Sequence, residues 1–115
     1  MTDKTVLVVN QIPVVDAPNQ RLSVAIGNKD IVLDLKYNTS FDYWIMDVWN
    51  RKKLLVAGIK LVLGVDLLYR YNLNIGSITL LHITSKHEVK EPNRYNLVNG
   101  DIKMFAFWRE NVTVD

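Results

Sequence analysis

The sequence predicts a mainly β domain, a small antiparallel β sandwich or barrel with one short helical turn. Apolar and polar residues alternate with period two in several short stretches, and turn-forming residues separate these stretches into six to eight strands. A chain of 115 residues buries roughly 65% of its unfolded surface, so one core is stable without disulfides or metal. We therefore expect residues 1–115 to form a single β domain, with residues 1–18 as an N-terminal arm.

The first three strands follow from local patterns. Thr5–Ile12 is rich in β-branched residues and ends at Pro13, which favours an edge strand or an arm. Gln20–Ile26 and Ile31–Tyr37 each alternate with period two, and the turn residues Gly27–Asp30 separate them. This arrangement predicts a β-hairpin.

The middle of the chain predicts two strands and a turn. Tyr43–Trp49 carries large apolar groups on both faces, which indicates a central strand. Leu54–Leu63 is almost continuously apolar but contains Gly58, so we expect a bent strand with a bulge. Asp66 can cap a short helical turn that begins near Leu67.

The C-terminal part predicts two more strands around a polar loop. Ser77–Thr84 has strand character, and Ser85–Tyr95 is the polar loop that follows it. Asn99-Gly100 is a dipeptide favoured in tight hairpin turns. Beyond it, apolar residues alternate over Ile102–Arg109, which predicts the last strand.

Charge and hydropathy indicate no special partner or compartment. The chain has 14 Lys and Arg against 12 Asp and Glu, a net charge of +2, and no cysteine. This charge is too small to indicate nucleic acid or an anionic membrane as a partner. The N-terminal apolar run is shorter than a signal-peptide core, and no segment approaches the roughly 20 apolar residues of a membrane span. We expect a protein folded in a cytosol.

The sequence contains no recognisable catalytic or metal-binding pattern. Its two histidines are His82 and His87, and no nucleophile motif surrounds a serine. His82, His87 and Glu88 lack a recurrent metal-ligand spacing. Asp34 and Asp47 fall on predicted strands at outward or edge positions, where general acid catalysis would require burial. We therefore expect no enzymatic activity, metal or cofactor.

The aromatic residues leave two interpretations open. Trp44, Trp49 and Trp108 can belong to the core, or an exposed one can stack on a sugar or a base. Trp44 and Trp49 are expected on opposite faces of one strand, so at least one can face outward. The basic run Arg51–Lys53 is better explained as a solvated turn than as a phosphate site.

Five segments follow one another along the chain: Ile12-Pro13, Asn19–Leu22, Tyr37-Asn38, Tyr43–Val48 and Leu61–Leu68. Their order resembles one known family, the small baseplate plug proteins of contractile-tailed bacteriophages, of the cyanophage type. The resemblance runs from about Ile12 to Trp108. Its most specific parts are Asn19–Arg21 and Gly64–Leu68, and neither is a catalytic signature.

The resemblance implies a non-enzymatic structural protein of the virion, at the centre of the tail baseplate and assembled in the host cytoplasm. It also implies a homo-oligomer that contacts the tube, hub and spike proteins, with the tape measure as a further candidate, and that has no specific nucleic acid or membrane partner. The side chains of Val65, Leu67 and Leu68 are expected to point away from the sheet core. The candidate interface residues are Asn19, Gln20, Arg21, Trp49, Val65, Asp66, Leu67 and Leu68.

Two other classes remain as alternatives. One is a carbohydrate- or ligand-binding β module that uses exposed Trp or Tyr side chains. The other is a generic β domain of a larger complex, without a ligand of its own.

Overall fold

The computed structural model describes residues 2–83 and 91–114, and it confirms the predicted mainly β fold. Seven strands form two antiparallel sheets, a three-stranded sheet in the order β1-β7-β6 and a four-stranded sheet in the order β2-β3-β4-β5. The described part contains no α-helix, and its helical element is a 3₁₀ turn at Tyr69–Tyr71. The strands are β1 (Thr2–Ile12), β2 (Asn19–Ile26), β3 (Lys29–Asn38), β4 (Tyr43–Asn50), β5 (Lys53–Lys60), β6 (Ser77–His82) and β7 (Ile102–Val114).

The four-stranded sheet is built from consecutive hairpins. The predicted first hairpin is β2–β3, where Ile26 pairs with Lys29 across the turn Gly27-Asn28. β4 lies between β3 and β5, as predicted for a strand with apolar residues on both faces. Residues of β3 and β4 alternate between buried and partly exposed positions, so the period of two in the sequence matches the two faces of the sheet.

The predicted bulge lies in β5 at Gly58. The register shifts between the pairs Met46–Ile59 and Val48–Val56, so two residues of β5 oppose Asp47. Gly58 has a φ of +79°, which glycine adopts without strain, and its N–H donates to Asp47 Oδ1 at 2.9 Å. β5 ends at Lys60, three residues before the predicted end, because the chain then crosses to the other sheet.

The three-stranded sheet joins the two ends of the chain. β7 pairs with β6 over Ile102–Phe107 and with β1 over its whole length. Beyond β6, Thr2–Val6 and Glu110–Val114 therefore continue as a two-stranded terminal ribbon. The strand predicted at Thr5–Ile12 is present and begins earlier, at Thr2. The last strand, predicted over Ile102–Arg109, extends to Val114. Both are longer than predicted because β1 and β7 pair with each other along the added residues.

The core lies between the two sheets. Leu33, Met46 and Val48 of the four-stranded sheet and Ile78 and Met104 of the three-stranded sheet are each 0% exposed. Among the described residues, every buried side-chain nitrogen or oxygen has a hydrogen-bond partner. Both sheets thus contribute to one apolar core, in which the described polar side chains that are buried are also hydrogen-bonded.

The connection from β6 to β7 differs from the predicted hairpin turn. Val98 N and Asn99 N both donate to the carbonyl of Tyr95, at 3.2 and 2.9 Å, which forms a wider turn that leads into β7. Asn99-Gly100 ends this turn and does not join two adjacent strands, so that prediction was wrong. Residues 85–90 of the predicted loop Ser85–Tyr95, including His87 and Glu88, lie outside the described residues.

We predict that Gly76→Ala destabilises the protein strongly, because Gly76 lies where the sheets approach each other. An added Cβ would lie 2.7 Å from Ile26 Cγ2 and 2.9 Å from the carbonyl oxygen of Phe107, and the φ of Gly76 is +115°. We expect a loss of about 3 kcal/mol in the free energy of unfolding, measured by urea denaturation. Gly64→Ala is the matched control, since its φ is +72° but nothing lies within 4 Å, and it should cost about 1 kcal/mol. Equal losses would contradict the packing argument.

Candidate interaction surface

The predicted interface residues lie in two places of the fold. Asn19, Gln20 and Arg21 begin β2, and Trp49 is near the end of β4. Residues 65–68 lie between β5 and the 3₁₀ turn.

Arg21 and Trp49 meet at Asp34 on the outer face of the four-stranded sheet. Arg21 is directly opposite Asp34 in the β2–β3 register. Its Nε donates to Oδ1 at 2.7 Å and its Nη2 donates to Oδ2 at 3.1 Å, which is the bidentate geometry favoured between Arg and carboxylates. The indole N–H of Trp49 donates to Asp34 Oδ2 at 3.1 Å. One carboxylate therefore orients both side chains.

Asp34 is also directly opposite Asp47 in the β3–β4 register, and like charges at such positions repel. Hydrogen-bond donors and a cation near the two carboxylates reduce this repulsion. Lys36 Nζ lies 3.4 Å from Asp47 Oδ2, and Gly58 N binds Asp47 Oδ1. The bulge in β5 thus supplies a hydrogen bond that neutralises part of this repulsion.

The hydrogen bond and charge of Arg21 lower the pKa of Asp34 below 3.8, its ordinary value, while partial burial opposes this shift. A carboxyl group held ionised in this way is a poor general acid at neutral pH. Asp34 therefore fits an ion-pair network and not the acid half of a catalytic pair.

Gln20 stabilises the loop before β2 through side-chain hydrogen bonds. Its Oε1 accepts from Val15 N at 2.9 Å, and its Nε2 donates to the carbonyls of Val15 and Ala17 at 2.8 and 2.9 Å. Asn19, at the start of the strand, is exposed. The amide of Gln20 is therefore occupied within the chain, while Asn19 and Arg21 face solvent.

Asp66 links its segment to β6. Its carboxylate accepts from Leu68 N at 3.1 Å, from Ser77 Oγ at 2.8 Å and from Ile78 N at 3.4 Å. The 3₁₀ turn begins after Leu68 without a side-chain cap, two residues later than predicted. Asp66 therefore does not cap the turn as expected but fixes the chain against the edge of β6.

Leu67 and Leu68 belong to the core. They are 6% and 3% exposed, so the expectation that their side chains point away from the core was wrong. The backbone explains the difference: Gly64 N and Leu67 N donate to the carbonyls of Leu80 and Ile78, which draws this segment onto β6. Val65 is 48% exposed and does face solvent.

The outer face of the three-stranded sheet carries an exposed apolar group that the sequence analysis did not single out. Leu7 and Val9 of β1 are 54% and 52% exposed, and Leu81 of β6 is 45% exposed. Phe105 and Phe107, between them on β7, are partly exposed. In the sequence, Phe105 and Phe107 alternate with Met104 and Ala106, which are buried. Since both sets are apolar, this alternation does not indicate which face of β7 packs against the core and which faces outward.

Within residues 2–83 and 91–114, no group of three or more acidic or histidine side chains is placed to hold a metal ion. A search of the same residues finds no helix with the length and apolar character to cross a membrane.

We predict that Arg21→Ala raises the pKa of Asp34 toward 3.8, because the variant loses the main cause of the lowered value. The carbon resonance of the Asp34 carboxyl, followed by NMR during an acid titration, measures this shift. The ion pair stabilises the folded state above pH 3.8, and that contribution disappears as the pH falls through the lowered pKa.

The matched control is Arg51→Ala, which removes an arginine paired with Asp30 at 3.6 Å. It should leave the titration of Asp34 unchanged. An unchanged Asp34 titration in Arg21→Ala would contradict the assigned cause.

Comparison with known proteins identifies the family. Residues 9–109 match the family model described as the cyanophage baseplate Pam3 plug gp18. None of the curated proteins compared with the sequence matches it. The family match covers nearly the whole chain and confirms the resemblance found in the sequence, and the role that it indicates is structural. The chain belongs to the cyanophage baseplate plug family.

Proposed function

We propose that this protein is a plug component of the phage tail baseplate that oligomerises and contacts the hub and neighbouring tail proteins. The observation that carries the proposal is the family match over residues 9–109. The role is structural and non-catalytic and needs no cofactor. The partners are the tube, hub and spike proteins, with the tape measure as a further candidate, and the protein joins the particle during assembly in the host cytoplasm.

The network around Asp34 supports one contact surface. Arg and Trp are among the residues that contribute most to protein interfaces. Arg21 and Trp49 are both held by hydrogen bonds to Asp34, so little side-chain entropy is lost when a partner binds them. The exposed residues Asn19 and Val65 extend the candidate surface, whereas Gln20 and Asp66 support it from within and Leu67 and Leu68 anchor its backbone.

The terminal ribbon supports a second contact. Thr2–Val6 forms hydrogen bonds with Glu110–Val114, and most of these residues are exposed. A two-stranded ribbon is marginally stable alone in water, and its open edge can add a strand to another chain's sheet. We propose that this ribbon, which contains the first residues of the expected arm 1–18, binds a neighbouring tail protein.

The alternative of a sugar-binding module finds little support in the tryptophans. Trp44 is 0% exposed, Trp49 is tied to Asp34, and Trp108 packs against the core cluster. A sugar stacks on an open aromatic face. Tyr69 and Tyr95 are exposed, at 84% and 77%, and Tyr69 borders a groove that Lys60, Asp66 and Arg70 also line, so a sugar contact would have to use a tyrosine and not a tryptophan.

We predict that Arg21→Ala and Trp49→Ala reduce incorporation of the protein into baseplates by at least about tenfold, since loss of an interface anchor costs up to a few kcal/mol. Quantitative mass spectrometry of purified particles measures the incorporated amount after complementation with each variant. The matched control Arg51→Ala should assemble normally. Normal incorporation of both variants would place the contact surface elsewhere.

We predict that deletion of Thr2–Val6 prevents incorporation but changes the melting temperature by no more than about 4 °C, because a loss confined to exposed ribbon contacts is near 0.5–1 kcal/mol. The deletion ends before Ile12, which is 1% exposed and part of the core. Thermal unfolding and particle composition are measured on the same variant. Unfolding of the variant at room temperature would show that the ribbon is needed for the fold and contradict its role as an arm.

A further inference from the structure

The strand β7 continues beyond the end of its neighbour β6. Its pairing with β6 stops at Phe107, which lies opposite Ser77, the first residue of β6. Before Ser77 the chain turns away from β7, because Gly76 has a φ of +115° and Ile75 is buried in the core. No strand of the described residues pairs with β7 on this side beyond Phe107. We call this side of residues 109–113 the open β7 edge.

The direction of the Phe107 carbonyl shows which backbone groups face the open β7 edge. Its oxygen points toward Gly76, since it would lie 2.9 Å from a Cβ added there. Backbone groups of successive residues in an antiparallel strand point alternately to its two sides. The N–H and C=O groups of Arg109, Asn111 and Thr113 therefore face the open β7 edge, while those of the residues between them pair with β1. All three residues are exposed, so a further strand can reach them.

A groove of about 430 Å³ lies where β6 begins beside β7. The described residues that line it include two cations, Lys29 and Arg109, and no acidic residue. Within residues 2–83 and 91–114, neither cation forms an ion pair. Glu110, the next residue of β7, accepts a hydrogen bond from the indole N–H of Trp108 at 2.7 Å and does not line the groove. The groove therefore favours an anionic group.

We propose that the open β7 edge binds the C-terminal tail of a neighbouring tail protein as an added antiparallel strand, with the terminal carboxylate of that tail in the groove. This inference rests on the proposed function, because it names the segment of the neighbouring protein that binds. β6 already occupies the position opposite Phe107, so an added strand has to end beside Arg109. In the antiparallel direction, the end that arrives there is the C terminus.

Charge decides between the two strand directions. A parallel strand would place its N-terminal amine, a cation, beside Lys29 and Arg109, where like charges repel. An antiparallel strand places a carboxylate there instead, and arginine forms strong charge-assisted hydrogen bonds with carboxylates. Main-chain hydrogen bonds along the edge then supply affinity, and capture of the terminal carboxylate fixes the register of the added strand.

Synthetic peptides test the proposal on the full chain by fluorescence anisotropy. They comprise the last residues, about ten in each case, of the tube, hub, spike and tape-measure proteins of the same phage, each made as the free acid and as the C-terminal amide. At least one free acid should bind with a dissociation constant on the order of 10–100 μM. Its amide should bind at least about fivefold more weakly, because the charge-assisted hydrogen bonds are lost.

Arg109→Gln should weaken binding of the free acid to the same extent as amidation does. The matched control is Arg70→Gln, which changes another exposed arginine, in the 3₁₀ turn, and should bind like the wild type. Circular dichroism establishes that both variants are folded.

Hydrogen exchange of the backbone amides, measured by NMR with and without the bound peptide, tests the strand geometry. Exchange should slow at least about tenfold at Arg109, Asn111 and Thr113, whose amides gain partners. It should change little at Glu110 and Val112, whose amides already pair with β1.

The proposal would be overturned if none of the free acids binds with a dissociation constant below about 1 mM, or if the amides bind as tightly as the acids. Unchanged affinity in Arg109→Gln, or protection that does not alternate along β7, would contradict it equally. Incorporation into particles is measured separately, so a failure of peptide binding leaves the proposed baseplate role to be decided by its own experiment.

Discussion

The fold depends on how Trp44 is buried. Its ring is fully enclosed and lies 5.3 Å from the ring of Tyr37, while its indole N–H donates to the carbonyl of Asn93 at 2.9 Å. A buried N–H without an acceptor costs about 1–3 kcal/mol, so the chain around Asn93 must remain against β4. Arg94 then lies 6.0 Å from the Trp44 ring and pairs with Asp16 at 2.8 Å, which connects the segment before β2 to the same site.

The position of the chain around Asn93 determines where β7 begins. Asn96 accepts a hydrogen bond from Asn93 N through its side chain and from Ile102 N through its carbonyl, so the turn delivers Ile102 directly into the three-stranded sheet. From there β7 pairs with β6 on one side and β1 on the other. Because β7 is longer than β6, the surplus residues pair with the N terminus, and the terminal ribbon is a consequence of this difference in length.

The sequence predicted correctly those elements whose conformation depends on residues close together in the chain. The β2–β3 hairpin, the central position of β4 and the bulge at Gly58 all follow from residues close together in sequence. The error at Leu67 and Leu68 concerns contacts between distant residues, because Gly64 N and Leu67 N donate to the carbonyls of Leu80 and Ile78 and draw this segment into the core. The error at Asn99-Gly100 is local, because the carbonyl of Tyr95 accepts from Val98 N and Asn99 N and closes a wider turn. Of the candidate surface, the sequence singled out Arg21 and Trp49 but not Asp34, which joins them, because cross-strand register is not visible in the chain alone.

The four edges of the two sheets differ in how open they are to another chain. Residues 64–67 cover the edge of β6 through backbone hydrogen bonds, and the shifted register interrupts the edge of β5, both of which hinder addition of a foreign strand. β1 and β2 each have an unbroken register and lie at the end of their sheets, so their outer hydrogen-bonding groups form continuous edges. The edge of β1 is the longer, with 11 residues against 8. The edge of β1 also carries the exposed apolar side chains of Leu7 and Val9. A neighbouring protein that adds a strand along the edge of β1 would therefore bury Leu7 and Val9 as well as pair their backbone groups, so apolar contact and hydrogen bonding would act together there.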